Sequence, residues 1–405
     1  MAANPALTGI NLSEIVNQAG VRDCLQFFTR EKQWINEVHL QLCRVPAPTF
    51  LEQDRAAWFL EQFRTYGCDA SIDRAGNVLA AFGPPPYVAL TAHLDTVLAP
   101  RNKDEISVDG EGRFRGPGVS DNGAGLAALL AIARACRNFR LPGAEASLLL
   151  VANVGEEGEG NLLGMRHLCG PSPLARQILA YVIVDGANTD HITTRGLGSR
   201  RFEVTFTGPG GHSWSDFGVG NPVHALCRAV ALFAEAHVDT GPKSSINVGM
   251  VEGGSGVNAI AQTARCKVDI RSENNARMDQ LVDVLMNSVE RSRDVENHRQ
   301  SGGRVQARTR EIGSRPAATL PDTAPILQFI RAVDSHLGIR AHLDCSSTDA
   351  NLPLSLGIPA IAIGAGGQGG GAHTTGEWFS PDGRDLGLKR ILLTLLMLLR
   401  GTAAR

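Results

Sequence analysis

Ser147-Leu-Leu-Leu-Val-Ala-Asn-Val-Gly-Glu-Glu-Gly-Glu-Gly160 is an apolar run that stops at two adjacent carboxylates, Glu156 and Glu157. A continuous leucine- and valine-rich run bounded by glycines predicts a strand covered on both faces, as in a mostly parallel sheet. In open α/β sheets ligands bind outside the carboxyl ends of such strands, so the two glutamates stand where a site is expected. Neighbouring side chains at a strand end point in different directions. One glutamate is therefore free to bind a metal ion while the other handles a proton.

The same pattern recurs on either side. Asn77–Gly83 and Tyr87–Asp95 read as strands divided by the turn Pro84-Pro-Pro86. The second ends in His93 and Asp95, and residues two apart on a strand face the same way, so the Asp95 carboxylate is expected to accept from the His93 imidazole and raise its basicity as a metal ligand. A glycine-rich loop, Gly116–Gly125, leads into a helix predicted over Leu126–Phe139 with Leu126, Leu129, Leu130 and Ala133 on its buried face. Asp121 lies at the mouth of that helix, where it suits both an N-cap and a carboxylate held rigidly enough to bridge two cations. Ala180–Val184 is again a short apolar strand ending in an acid, Asp185. Further on, the loop Gly364-Ala-Gly-Gly-Gln-Gly-Gly-Gly-Ala-His373 lets backbone approach a ligand closely, with Gly366 and Gly367 as candidate substrate contacts and His373 at its end. Oxygen and imidazole ligands without thiolates suit a divalent ion such as Zn, Mn or Co.

Composition bounds the rest. At 405 residues the chain is too long for one core at about 150 residues per domain. A net charge of −2 gives no electrostatic footing for nucleic acid or an anionic membrane, so a small partner is expected. The eight cysteines are scattered without a CxxC pair, which suits reduced thiols in the cytoplasm. The N-terminal Met-Ala-Ala-Asn-Pro-Ala-Leu has no basic region followed by an apolar core, so no signal peptide is expected there. Ile391–Leu399 falls far short of the ~20 residues that cross a bilayer and reads as a buried C-terminal helix ended by Arg400 and Gly401.

From about Gly196 the periodicity changes. Arg200–Thr207 alternates like a half-exposed strand, and a helix from Asn221-Pro222, strands near Ser245–Val251 and Thr263–Arg271, a helix over Asn274–Ser292 and a strand near Arg304–Ile312 give a ferredoxin-like β-α-β-β-α-β order. The expected organisation is a catalytic domain in two parts, 1–195 and 316–405, with 196–315 inserted as a lid or dimerisation domain.

Five ordered segments, AHLDTV, GVSDNGAG, GEEGEGNLLG, VDG and GGGAHTTGE, resemble the dinuclear zinc metallohydrolase family of peptidase T, carboxypeptidase G, aminoacylase and the acetylornithine deacetylases. The resemblance covers about residues 40–400 and leans toward the peptidase T-like branch. It implies an α/β, zinc-exopeptidase-type mixed sheet flanked by helices, carrying the inserted α+β domain. It also implies two divalent ions, most simply Zn with Co or Mn as alternatives: His93 and Asp185 on one, Glu157 and His373 on the other, Asp121 between them. Glu156 becomes the general base and Asp95 the partner of His93. In Gly208-Pro-Gly-Gly-His-Ser213, His212 matches a histidine that reaches a neighbouring site across a homodimer, while Asn258 and Arg271 match positions that bind the substrate carboxylate. Two departures stand out: Gly123 where the family often has lysine, and Trp214 where a small residue is common.

The reading expected on this basis is a tripeptidase-like exopeptidase acting on a small peptide. The alternatives are an N-acyl-amino-acid amidohydrolase or other aminohydrolase using the same water and base, and a non-catalytic binding protein on the same scaffold, which would have no chemical need of Glu156. A nucleotide-binding reading fails because no GxxxxGK[ST] follows any strand.

Overall fold

The computed structural model describes residues 11–142, 147–238, 241–299 and 301–403; the N-terminal heptapeptide read above for a leader lies outside them. The chain divides into two compact units, Met1–Arg195 with Thr319–Arg405, and Gly196–Ala318.

In the first unit the strands Leu148–Asn153, Tyr87–His93, Ile178–Val184 and Ala360–Ile363 lie side by side in that order and run parallel. The first, second and fourth are buried at every residue, as unbroken apolar runs require when both faces are covered. Val78–Phe82 joins antiparallel beside Leu148–Asn153 and makes the sheet mixed. Register aligns the carboxyl ends: His93 lies opposite Asn153, and Ile363 opposite Val184. The loops carrying Asp95, Glu156, Asp185 and His373 therefore leave the sheet at one edge.

The helix predicted from Leu126 begins at Gly123 and runs to Asn138, and all of Gly123–Ala133 is buried rather than one face. Its glycines and alanines let it pack closely among the helices Lys32–Cys43, Gln53–Thr65 and Arg384–Ala403 and the sheet. The C-terminal helix is likewise longer than Ile391–Leu399: it spans Arg384–Ala403 and passes through Gly401, since one glycine costs a helix only about 1 kcal/mol. Among the described residues no helix is long and apolar enough to cross a membrane, and the cysteines form no disulfide.

The second unit is a four-stranded antiparallel sheet in the order Ser244–Gly253, Thr263–Ser272, Gly198–Thr207, Gln306–Arg315, with helices Pro222–Ala234 and Asn275–His298. In chain order of its strands this is 2-3-1-4, the ferredoxin-like arrangement. Phe202, Val204 and Phe206 alternate into its core against Phe233 and Leu281, which is the period-two signal seen in the sequence. Two boundaries differ from expectation for identifiable reasons. The helix expected to end at Ser292 continues to His298 because buried Glu296 anchors the last turns, accepting from the Asn221 amide at 3.1 Å and from Arg228 at 3.3 Å. The unit extends to Ala318 rather than 315 because Asn275 brackets Ala317, its Nδ2 donating to the carbonyl at 2.9 Å and its Oδ1 accepting the amide at 2.8 Å.

Within the first unit, Arg390 of the C-terminal helix is wholly buried and donates from Nε and Nη2 to both oxygens of Asp334, each at 2.7 Å, on the helix Pro325–Leu337. Removing one member strands a buried charge. Arg390→Ala is expected to destabilise this unit by about 3–5 kcal/mol, read by urea unfolding with far-UV circular dichroism; a loss below about 1 kcal/mol would show the pair to be dispensable.

Candidate active site

His93 is the last residue of its strand and is buried. Its Nδ1 donates to the main-chain carbonyl of Asp95 at 3.0 Å, which fixes the proton there and turns Nε2 toward carboxylates, 3.1 Å from Asp121 Oδ1 and 3.8 Å from Asp185 Oδ1. His373, with φ 63°, brings its own Nε2 to 3.1 Å from Asp121 Oδ2 and 2.8 Å from Glu157 Oε1. Each oxygen of Asp121 thus faces a different imidazole. Ligand atoms of His93, Asp121 and Glu157 all lie within 4.8 Å of one another.

Electrostatics follow from this crowding. Burial lowers the pKa of His93, but the carboxylates of Asp121, Asp185 and Asp95 around it outweigh burial and hold the ring well above the usual histidine range. His373, bonded to Asp121 and Glu157, is pushed up to about 10. Burial raises the Asp121 carboxyl, and the two imidazoles pull it below the ordinary carboxylate value. Three carboxylates converging on two imidazole nitrogens leave surplus negative charge in a largely buried place. A donor set of oxygens and imidazoles with that surplus fits divalent cations.

The Asp95 carboxylate faces His93 as expected, with a shorter bond beside it. The strand ends at His93, so alternation stops there, and the carbonyl of Asp95 rather than its carboxylate makes the short bond to His93; the nearest carboxylate oxygen is 3.5 Å away. That carboxylate, fully buried, also accepts from the amides of Glu156 and Glu157 and the hydroxyl of Thr49, each at 2.9 Å. Asp95 therefore orients the backbone of both glutamates. Glu156 itself is buried, with its amide held in this way. Glu52 anchors the turn before it, accepting from the Gly155 amide at 3.0 Å.

Asp121 is not the helix cap. Asn122 caps the helix, its Oδ1 accepting from the Gly125 amide at 3.1 Å, while its Nδ2 donates to the Val184 carbonyl at 2.8 Å and ties the helix to the end of the Asp185 strand. This leaves the Asp121 carboxylate to the histidines. Gly123 also has a reason: a Cβ there would lie 2.5 Å from both Cys43 Sγ and the Gly118 carbonyl and 2.8 Å from His39 Nε2, so no side chain fits.

The glycines proposed as substrate contacts approach the chain itself. A Cβ on Gly366, φ 94°, would meet the Arg384 carbonyl at 2.5 Å, its amide already donates to the Ala187 carbonyl at 2.7 Å, and Gly367 lies against the Ser380 carbonyl and the Phe379 ring. Their conformational freedom serves packing of the C-terminal segment.

Within the second unit, His212 and Asn258 are neighbours on a two-stranded ribbon, Gly211–His212 against Ala259–Ile260, where the Ser213 amide donates to the Asn258 carbonyl at 3.0 Å. His212 is exposed, and its Nδ1 accepts from the amides of Trp214 at 3.2 Å and Ser215 at 3.4 Å. Trp214 is 86% exposed. Arg271 donates to Asp269 of its own strand at 2.7 Å.

Sequence reasoning passed over Glu377. It is 2% exposed and accepts from three amides of the loop that presents Asp121. The available signal was its place at the end of GGGAHTTGE, four residues after His373.

Residues 89–396 match the model of Peptidase family M20/M25/M40. A protein of Pyrococcus abyssi named as a LysW-lysine/LysW-ornithine hydrolase is 30% identical over 166 residues, 40% of this chain; the match spans only 43% of that relative's length. Among solved structures, a tripeptidase from Staphylococcus aureus superposes with a TM-score of 0.73 at 18% identity, covering 91% of this chain and 99% of that one. Aminopeptidase PepT from Bacillus cereus does so with 0.69 at 17%, covering 91% and 98%. At these identities the two structures share the fold. The family match extends over most of the chain and through every segment that meets at Asp121, so the chain belongs to Peptidase family M20/M25/M40 and is a hydrolytic enzyme.

Proposed function

We propose that this hydrolase cleaves an amide bond of small peptides as an exopeptidase, with two divalent cations, zinc foremost. The observation that carries the reading is the placing of His93 and His373 on opposite oxygens of Asp121, 3.1 Å each. One carboxylate flanked in this way suits two ions rather than one. His93 and Asp185 would hold the first and Glu157 and His373 the second, with Asp121 shared. Divalent ions bound there supply Lewis acidity to a scissile carbonyl and lower the pKa of water.

The chain's own residues do the rest. Glu156 takes a proton from the attacking water and returns it to the departing amine, the task for which a carboxylate beside the ligands suits. Asp95 keeps that glutamate in place by holding its amide and that of Glu157. His212, whose Nδ1 is occupied by two amide donors, carries its proton on Nε2 in the neutral ring and can donate it to the developing oxyanion. Following the family pattern, it acts on the site of a second copy in a homodimer. Arg271 and Asn258 are the candidates for the substrate's carboxylate end; Arg271 would have to share its guanidinium with Asp269.

The fold likeness to a tripeptidase and an aminopeptidase favours free peptides as substrates. A second reading, hydrolysis of an N-acyl amino acid or another specialised amide, draws on the curated relative, which is named for hydrolysing a lysine or ornithine derivative and whose identity to this chain exceeds that of either structure.

Three measurements test these statements. Glu156→Gln should keep two equivalents of zinc by elemental analysis and lose about 10²–10⁴-fold in kcat; retained turnover removes Glu156 from the role of base. Mixing Glu156→Gln with His212→Ala, each inactive alone, should restore activity in mixed dimers, where one site draws a glutamate from one copy and a histidine from the other. No recovery sinks the shared site. Finally, zinc- or cobalt-loaded enzyme is offered free tripeptides and N-acetylated amino acids in parallel: higher kcat/KM on tripeptides upholds the exopeptidase reading, and the reverse order moves it to a deacylase.

A further inference from the structure

Glu377 is a buried carboxylate that the proposed reaction does not use. We infer that it is the positioning residue that fixes Asp121 between the two imidazoles, by anchoring the backbone of residues 116–121. Oε1 accepts from the amides of Ser120 at 2.7 Å and Asp121 at 2.8 Å, and Oε2 from Gly118 at 2.7 Å. The main-chain carbonyl of Glu377 accepts a fourth amide, Gly116, at 3.1 Å. The carbonyls of the same loop are held from elsewhere: Val119 accepts from His39 Nε2 at 2.8 Å, and Gly118 from the Gly123 amide at 2.9 Å. The Asp121 amide is thus tethered one residue's reach from a carboxylate that must meet two imidazoles at once.

Three amide donors need acceptors, and only a carboxylate offers them on both oxygens; a glutamine would turn an NH₂ toward the Gly118 amide. Charge explains why amides are required. Burial, and after it the neighbouring Asp121, disfavour the Glu377 anion and hold its carboxyl above the usual glutamate range; the three donors oppose that rise. Glu377 and His373 lie in one short segment, in which the Thr374 amide donates to the Gly371 carbonyl at 3.2 Å and the Glu377 amide to the Thr374 carbonyl at 3.4 Å. The segment that brings His373 to one oxygen of Asp121 therefore also grips the Asp121 backbone, from more than 250 residues away in sequence. This gives the last part of GGGAHTTGE a task distinct from holding an ion.

The inference rests on the reading of Asp121 as an ion-holding carboxylate, and the test separates the two. Glu377→Gln and Glu377→Asp are compared with the unaltered protein by zinc competition against a chromophoric chelator, by the visible spectrum of the cobalt-loaded form, and by thermal midpoint. Glu377→Gln is expected to fold, to bind zinc about 10–100-fold more weakly, to shift the cobalt bands, and at saturating zinc to lose kcat with KM little changed. Glu377→Asp, which keeps both acceptor oxygens, should recover part of the affinity. Unchanged affinity and cobalt spectrum with a lowered thermal midpoint would leave Glu377 a purely structural residue and overturn the inference, as would failure of both variants to fold. An unaltered protein that binds no divalent ion would instead bring down the reading of the site itself.

Discussion

One carboxylate, Asp121, presents its two oxygens to two different imidazoles, and the site depends on that carboxylate staying where it is. The two imidazoles attract that carboxylate, while Glu157 and Asp185 crowd it with like charge. It is held because its backbone has no freedom: the adjacent Asn122 is locked into the start of a buried helix and onto the end of the Asp185 strand. Repulsion among the acids is thereby stored as affinity for cations, which is the physical use of placing several carboxylates in one partly buried spot.

Two further anions, Asp95 and Glu377, stand behind this group. Both are buried, and both accept main-chain amides: Asp95, which also faces His93, from Glu156 and Glu157, and Glu377 from Gly118, Ser120 and Asp121. Amides spread positive potential without adding a mobile cation that would compete for the converging carboxylates. The two loops that carry the acidic residues are thus each wrapped around an acid of their own. The same economy of space shows at Gly123, where His39 and Cys43 fill the volume that a longer residue would need.

The second unit follows different rules. Its sheet has a core on one side only, and its other side is a ladder of paired charges such as Arg310 with Glu203 and Arg265 with Glu252. Its ribbon gives His212 Nδ1 two amide donors and leaves the residue exposed. Membership of the peptidase family fixes hydrolysis as the chemistry.

The sequence by itself determined the order and type of the elements and the side chains at strand ends. Short β-branched and leucine-rich runs bounded by turn residues and ending in His93, Glu156-Glu157 and Asp185 read as covered strands, and the period-two run at Arg200–Thr207 as a one-sided one. What it left undetermined were contacts between distant segments. The Asp95 carboxylate does stand 3.5 Å from His93, but its bonds to the amides of Glu156 and Glu157 lay beyond the reach of strand periodicity, and the helix to His298 was cut short because apolar spacing ends where buried Glu296 takes over. For Glu377 the only local signal was its place at the end of GGGAHTTGE, which says nothing of its partners, amides 256 to 259 residues away. Local periodicity reports which face of an element is buried, and a strand end reports where ligands emerge. Which amide a buried carboxylate finds is decided only when the chain has folded, because hydrogen bonds act over ångströms of space and leave no spacing in the sequence.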